Sequence, residues 1–319
     1  IIGLIMIVLE AALELELRRD KIWPILKALA VAALGLIAST WAAAWILYTL
    51  VPGMDMTLAW LYATPLSILS SAIIIPSVSG LENSRREFHV YESTFSDIMG
   101  IVLFYFLEAQ LNPVEAPGAV GFAGSLLLTL AVALAASYIL ILVFQQIRSQ
   151  AKQFLLLAVL LLLYALGKKL HLSSLIIILV FGLVIANMRL FFFGPLKKFL
   201  REERARQIYH ELHIITLESA FVVRTFFFVV FGITIVLSSL LSLQVLLISM
   251  LILATIYAIR FALLRTFLGS RVFPQLFIAP RGLITILLFY AIPSQAQVPG
   301  FEPGILLFII IGTSLIMTW

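Results

Sequence analysis

Apolar residues recur in blocks of about 17 to 28 along nearly the whole chain, separated by short polar clusters, and each block is long enough to cross a hydrocarbon core as a helix. The period-2 alternation of a membrane barrel is absent, and in lipid every backbone polar group must be satisfied internally, so the blocks read as helices. Eleven are predicted, at about 1–16, 26–50, 58–78, 88–108, 118–146, 153–167, 172–188, 213–237, 243–264, 274–292 and 303–319. The chain opens on Ile1-Ile2-Gly3 inside one apolar run and closes on Trp319 inside another, so it reads as a fragment lacking at least one N-terminal helix. The fold class expected is an all-α polytopic membrane protein.

Two runs carry helix breakers. Ala63-Thr64-Pro65-Leu66-Ser67-Ile68-Leu69-Ser70-Ser71, followed by Pro76-Ser77, interrupts the run before the most acidic helix. Pro280-Arg281-Gly282-Leu283-Ile284-Thr285 interrupts a late one. Discontinuous helices of this kind offer unwound carbonyls and half-helix ends to a cation, and their placement suggests inverted repeats. A plain Pro kink with Ser hydroxyls bonded back to the helix is the alternative.

Composition narrows the class. Hydrophobic residues make up 63% of the chain, charged residues 12%, and mean hydropathy is +1.14, which excludes a soluble globular domain. Threading the eleven helices across a bilayer puts fifteen Lys and Arg on one side, among them Lys21, Arg85, Arg86 and Arg189, and only Lys168 and Lys169 on the other. By the positive-inside rule the rich side is cytoplasmic. Because the basic residues flank membrane segments, the net charge of +5 is no nucleic-acid signature. With no cysteine, disulfides and thiolate metal sites are excluded. The longest loop, 189–212, holds Lys197-Lys198-Phe199-Leu200-Arg201 and Glu202-Glu203-Arg204, and is expected to form an amphipathic connector between residues 1–188 and 213–319. His89, His171, His210 and His213 are scattered without metal-ligand spacing, and no cofactor is expected.

The charges left inside the membrane carry the candidate chemistry. Asp97 lies halfway down its helix, where an unpaired charge costs roughly 2.5 to 3.5 kcal/mol on insertion scales. Glu92 lies five residues earlier and projects from a different face. Arg260 matches Glu92 in depth, so the two are expected to pair as a brace between helices. Asp97 has no basic residue at its own depth except Arg224. Desolvation disfavours a carboxylate's charged form, so proton and cation compete for such a group near neutral pH. Arg281, Arg224 and Glu218 are further core-charge candidates, with Arg281 also readable as an interfacial anchor. Glu10 and Glu14, one turn apart, read as interfacial or packed. Nothing resembles an intramembrane protease site or a Ser/His nucleophile pair, so an enzyme is not expected.

At these residues the chain resembles the monovalent cation/proton antiporter superfamily. Its sodium/proton exchangers carry a Glu-Ser-x-x-Asn-Asp stretch, which Glu92-Ser93-Thr94-Phe95-Ser96-Asp97 matches except at Ser96. Glu10 to Glu14, Phe226-Phe227-Phe228-Val229-Val230-Phe231-Gly232, Arg260 and Pro280-Arg281-Gly282-Leu283 add similarity in the right order. The resemblance implies a dimerisation domain plus a core domain with two crossed, unwound helices near 58–78 and 274–292, moving as an elevator. It also implies that Asp97 carries the cation or proton while Glu92 and Arg260 brace the core. Ser96, Ser70, Ser71 and Thr64 are candidate ligands beside it. A single transport carboxylate implies electroneutral exchange of Na+ or K+ for H+ by a homodimer in an inner or plasma membrane. The rival readings are a passive cation channel, a transport-dead sensor of the same fold, and an intramembrane hydrolase using Asp97 and Glu92.

Overall fold

The computed structural model describes residues 2–17, 19–111, 118–147, 152–170, 172–192, 201–234, 242–269 and 272–318. In chain order its α-helices are α1 (Ile2–Leu13), α2 (Ile22–Leu50), α3 (Met56–Ser67), α4 (Ser71–Ser77), α5 (Asn83–Ala109), α6 (Gly118–Phe144) and α7 (Lys152–Lys169). They continue as α8 (Ser174–Ala186), α9 (Met188–Phe191), α10 (Glu202–Thr234), α11 (Leu243–Leu268), α12 (Leu283–Ala291) and α13 (Gly304–Thr318). There is no strand among the described residues. Among the described residues six segments are long and apolar enough to cross a membrane, and α8 and α13 are shorter apolar helices. The chain is an integral, multi-pass membrane protein.

Three boundaries differ from the sequence expectation, each for a local reason. The run at 58–78 is split at Ile68–Ser70 into α3 and α4. The helix expected over 274–292 starts only at Leu283: Pro274 and Pro280 bring no N–H, and Ile278–Gly282 are not helical. The expected connector is in part the start of α10, which runs unbroken from Glu202. Its first turns hold strong helix formers, acidic residues at the positive end of the helix dipole, and a buried stripe of Ala205, Ile208 and Leu212. The connector's first residues belong to α9, and 193–200, including Lys197 and Lys198, lie outside the described residues, as do Arg18, Arg148, His171, Arg271 and Trp319.

The chain forms two compact units that interleave along the sequence. One comprises Ile1–Asp20 and Pro117–Phe226, the other Lys21–Ala116 and Phe227–Trp319. In the first, α8 is apolar all round and packs against α1, α6 and α7. A side chain at Gly182 would press on Ala12 and Leu9, so glycine permits the close approach of α8 to α1. Asn187 then receives Leu17 N–H and donates to the carbonyls of Leu15 and Leu183, which satisfies the chain where it leaves α1. In the second unit, α2 packs on α3, α5 and α11, while α5 also meets α4 and α12. Leu69, Ile74, Val78, Ile278 and Ala279 form one buried cluster there, so the two chain breaks share a core.

Candidate functional site

The site grows out of the unmet backbone groups of the two breaks. Pro65 withholds an N–H inside α3, and the hydroxyls of Thr64 and Ser67 donate back to the carbonyls of Trp60 (2.8 Å) and Ala63 (2.9 Å). Thr64 is thus engaged within its own helix. Beyond Ser67 the helix cannot continue, so its backbone groups look elsewhere. Leu69 N–H donates to Ser96 Oγ at 3.0 Å, Ser70 N–H to the Pro280 carbonyl at 2.9 Å, and Ser71 N–H to Asp97 Oδ2 at 3.4 Å, a long contact. The Leu66 carbonyl receives Arg281 Nε at 2.9 Å. Four neighbouring backbone groups of the first break are therefore met by α5 and by the second break.

The second break is held in the same way. Arg281 N–H donates to Thr313 Oγ1 at 3.0 Å, and Arg281 Nη1 to the Ala279 carbonyl at 3.1 Å. One guanidinium thus spans carbonyls of both breaks. Arg281 is only 2% exposed, so the expectation of an interfacial anchor is corrected: with α12 starting at Leu283, Arg281 sits in the break itself. Gly282 and Gly100 make the crossing possible, since a Cβ at Gly282 would collide with Ser70 Oγ and one at Gly100 with the Ile68 side chain.

Asp97 is fully buried, and Ser96, Ser70 and Ser71 beside it are also buried. The structure brings these four together where α5 meets the first break. Five residues along a helix turn a side chain by about 140°, so Glu92 faces elsewhere. Its Oε1 and Oε2 accept from Arg260 Nη1 (2.8 Å) and Nη2 (3.1 Å) in a fork. Arg260 also donates from Nε to the carbonyls of Gln275 and Leu276, and from Nη2 to Gln275. The pair thus grips the chain leading into the second break. Ser39, Ser67, Ser96, Glu92, Arg260 and Arg281 border a cavity of about 30 Å³, room for about two waters.

Arg224 and Glu218, expected as core charges, lie in the first unit, and the cluster around Asp97 in the second. Arg224 belongs to the first unit, where one Nη2 donates to both Glu10 oxygens at 2.7 and 2.9 Å. Glu14 meets His213 Nε2 at 3.1 Å in the same unit, and Glu218 lies on an exposed face of α10. Two residues that the sequence reading gives no role here also hold the cluster. Thr313 carries no sequence signal. His89 does: it precedes Glu92 by three, one turn of the same helix face, and its Nδ1 lies 3.1 Å from Glu92 Oε2.

What the arrangement offers chemically is a buried carboxylate at a crossing of two unwound segments, with hydroxyls and backbone groups around it and the second acid already neutralised. Among the described residues no His/Asp/Glu cluster is built to hold a resident metal ion. In comparisons with known proteins, no curated protein matches the sequence. Among solved structures the chain is similar to the sodium proton antiporter MjNhaP1 of Methanocaldococcus jannaschii at pH 8, with a TM-score of 0.71 at 19% identity, over 99% of this chain and 80% of that one. It is also similar to an electron-microscopy structure of MjNhaP1, with a TM-score of 0.64 at 18% identity, over 99% of this chain and 79% of that one. At such identity the likeness speaks for the fold, an antiporter fold. The family model described as the transmembrane sodium/hydrogen exchanger matches residues 1–319, and the chain therefore belongs to the sodium/hydrogen exchanger family.

Proposed function

We propose that the protein exchanges a monovalent cation, Na+ or K+, for protons by alternating access, with Asp97 holding each in turn. The observation that carries this reading is the meeting of Asp97, Ser96, Ser70 and Ser71 at the first break. Backbone freed from a helix supplies oxygens to a cation, and the carboxylate supplies the charge that a proton can replace. Family membership and the likeness to MjNhaP1 support the same activity.

Stoichiometry follows from the charge inventory. Glu92 is engaged by Arg260, and in this reading Asp97 is the carboxylate that alternates in each copy. One charge exchanged for one charge is electroneutral. In this reading the unit that holds both breaks is the moving core, and the unit containing α1 and α6–α9 is the scaffold through which two copies form a homodimer.

The test is reconstitution in proteoliposomes with a pH-sensitive dye, adding Na+ or K+ with and without a potential clamp. Cation-evoked proton movement in the wild type, insensitive to the clamp and abolished in Asp97→Asn, is the expected result. Exchange that survives Asp97→Asn would remove Asp97 from the cycle. Clamp-dependent movement would overturn electroneutrality, and cation flux uncoupled from protons would favour a channel.

A further inference from the structure

Apart from the crossing, the described residues of the core unit hold one more buried titratable side chain in contact with its charges. His89 sits in the second turn of α5 and is fully buried. Its ring meets Phe88 edge-on at 5.3 Å, and its carbonyl receives the Ser93 hydroxyl at 2.8 Å. Nδ1 lies 3.1 Å from Glu92 Oε2, while Nε2 is buried without a hydrogen-bond partner among the described residues.

The network assigns the tautomer. Glu92 already accepts two N–H groups from Arg260, so a third polar atom at its oxygen must also donate. Nδ1 therefore carries the proton, and Nε2 of the neutral imidazole holds a lone pair that meets no donor among the described residues. The contact falls on Oε2, the oxygen that also accepts Arg260 Nη2. His89 thus fixes the rotation of the carboxylate that faces the guanidinium. From there the chain of contacts continues without a gap: Arg260 holds the carbonyls of Gln275 and Leu276, and those residues lead into Ile278–Gly282.

We propose that His89 is a positioning residue of the exchange cycle: in its neutral form it orients Glu92 onto Arg260, and its protonation draws Glu92 away and slackens the grip on the second break. This rests on the exchange reading above. Protonation would put an imidazolium and a guanidinium on the same oxygen and leave an Nε2–H buried with no acceptor. The charged groups acting on His89 are Glu92 and Arg85 on its own helix and Arg260 on α11. Of the other helices packed on α5, α3, α4 and α12 contain no Asp, Glu, Lys, Arg or His, and their titratable side chains are Tyr62 and Tyr290. The single basic residue within α2, Lys27, is exposed, and Lys21, just before α2, pairs with Glu87. Exchange should therefore fall as the pH is lowered, for a reason separate from competition at Asp97.

The experiment uses the full chain as wild type, His89→Asn, His89→Leu, Glu92→Gln and the His89→Leu/Glu92→Gln double variant. In detergent, the double variant should melt where Glu92→Gln does, because the histidine's contribution passes through Glu92. Additive losses in melting temperature would overturn the proposal whether or not the protein transports. In proteoliposomes, His89→Leu should slow Asp97-dependent exchange about ten-fold, the scale of an outer-shell partner. Asn carries an N–H where Nδ1 has one, so His89→Asn should recover most of the rate and lose the histidine's part of the acid-side decline. A wild-type rate and pH profile in His89→Leu would overturn the proposal. Absence of any Asp97-dependent exchange in the wild type would instead defeat the exchange reading, and the melting cycle would still decide the placement of His89.

Discussion

Each unit holds an Arg–Glu pair, buried in one and part-buried in the other, and the two pairs are built differently. In the second unit, Glu92 and Arg260 side chains are 2% and 8% exposed, fork to fork, with the guanidinium also holding backbone carbonyls. In the other unit, Glu10 and Arg224 are 15% and 19% exposed, and a single Nη2 reaches both carboxylate oxygens. Beside each lies a histidine: His89 fully buried on Glu92, His213 roughly a quarter exposed on Glu14. A guanidinium that grips a carboxylate on another helix braces the two helices. One that also grips main-chain carbonyls ties a helix to an unwound segment, and that is the arrangement found beside the chain breaks.

The difference predicts a ranking of costs. Glu92→Gln should be the most damaging, lowering stability by about 3 to 5 kcal/mol because it leaves the Arg260 charge buried without its counter-ion. Unfolding in detergent measures it, and a wild-type melt would remove the brace. Glu10→Gln should cost less, about 1 to 3 kcal/mol, since Arg224 is wetter and keeps an amide oxygen as acceptor. Equal losses for the two variants would erase the distinction between the pairs. Glu14→Gln should be the mildest, about 1 kcal/mol or below, as expected of a partly exposed pair. A larger loss there would mean that the His213 contact is the tighter one.

Much of the architecture was legible before any coordinates. Helix-length apolar runs announced an all-α membrane protein because hydropathy and length are local properties. The Pro65–Ser71 stretch announced a break for the same kind of reason, and matching depths paired Glu92 with Arg260. The helix starts were harder. The expected start at 274 presumed that an apolar run is a helical one, but Ile278–Gly282 spend their polar groups on Arg281, Thr313 and Ser70 instead. Depth alone does not disclose that Arg224 meets Glu10, 214 residues away in sequence.

By itself the sequence determined what must be helical, where a helix must fail, and which charges are too costly to leave unused in a membrane. Each depends on neighbours within a few turns. Only the tertiary structure decided which distant group meets each stranded one: Ser96 for Leu69, Pro280 for Ser70, Arg281 for Leu66, and Thr313 for Arg281. The physical reason is that a buried polar group must be satisfied by something, and local sequence states the need without naming the partner.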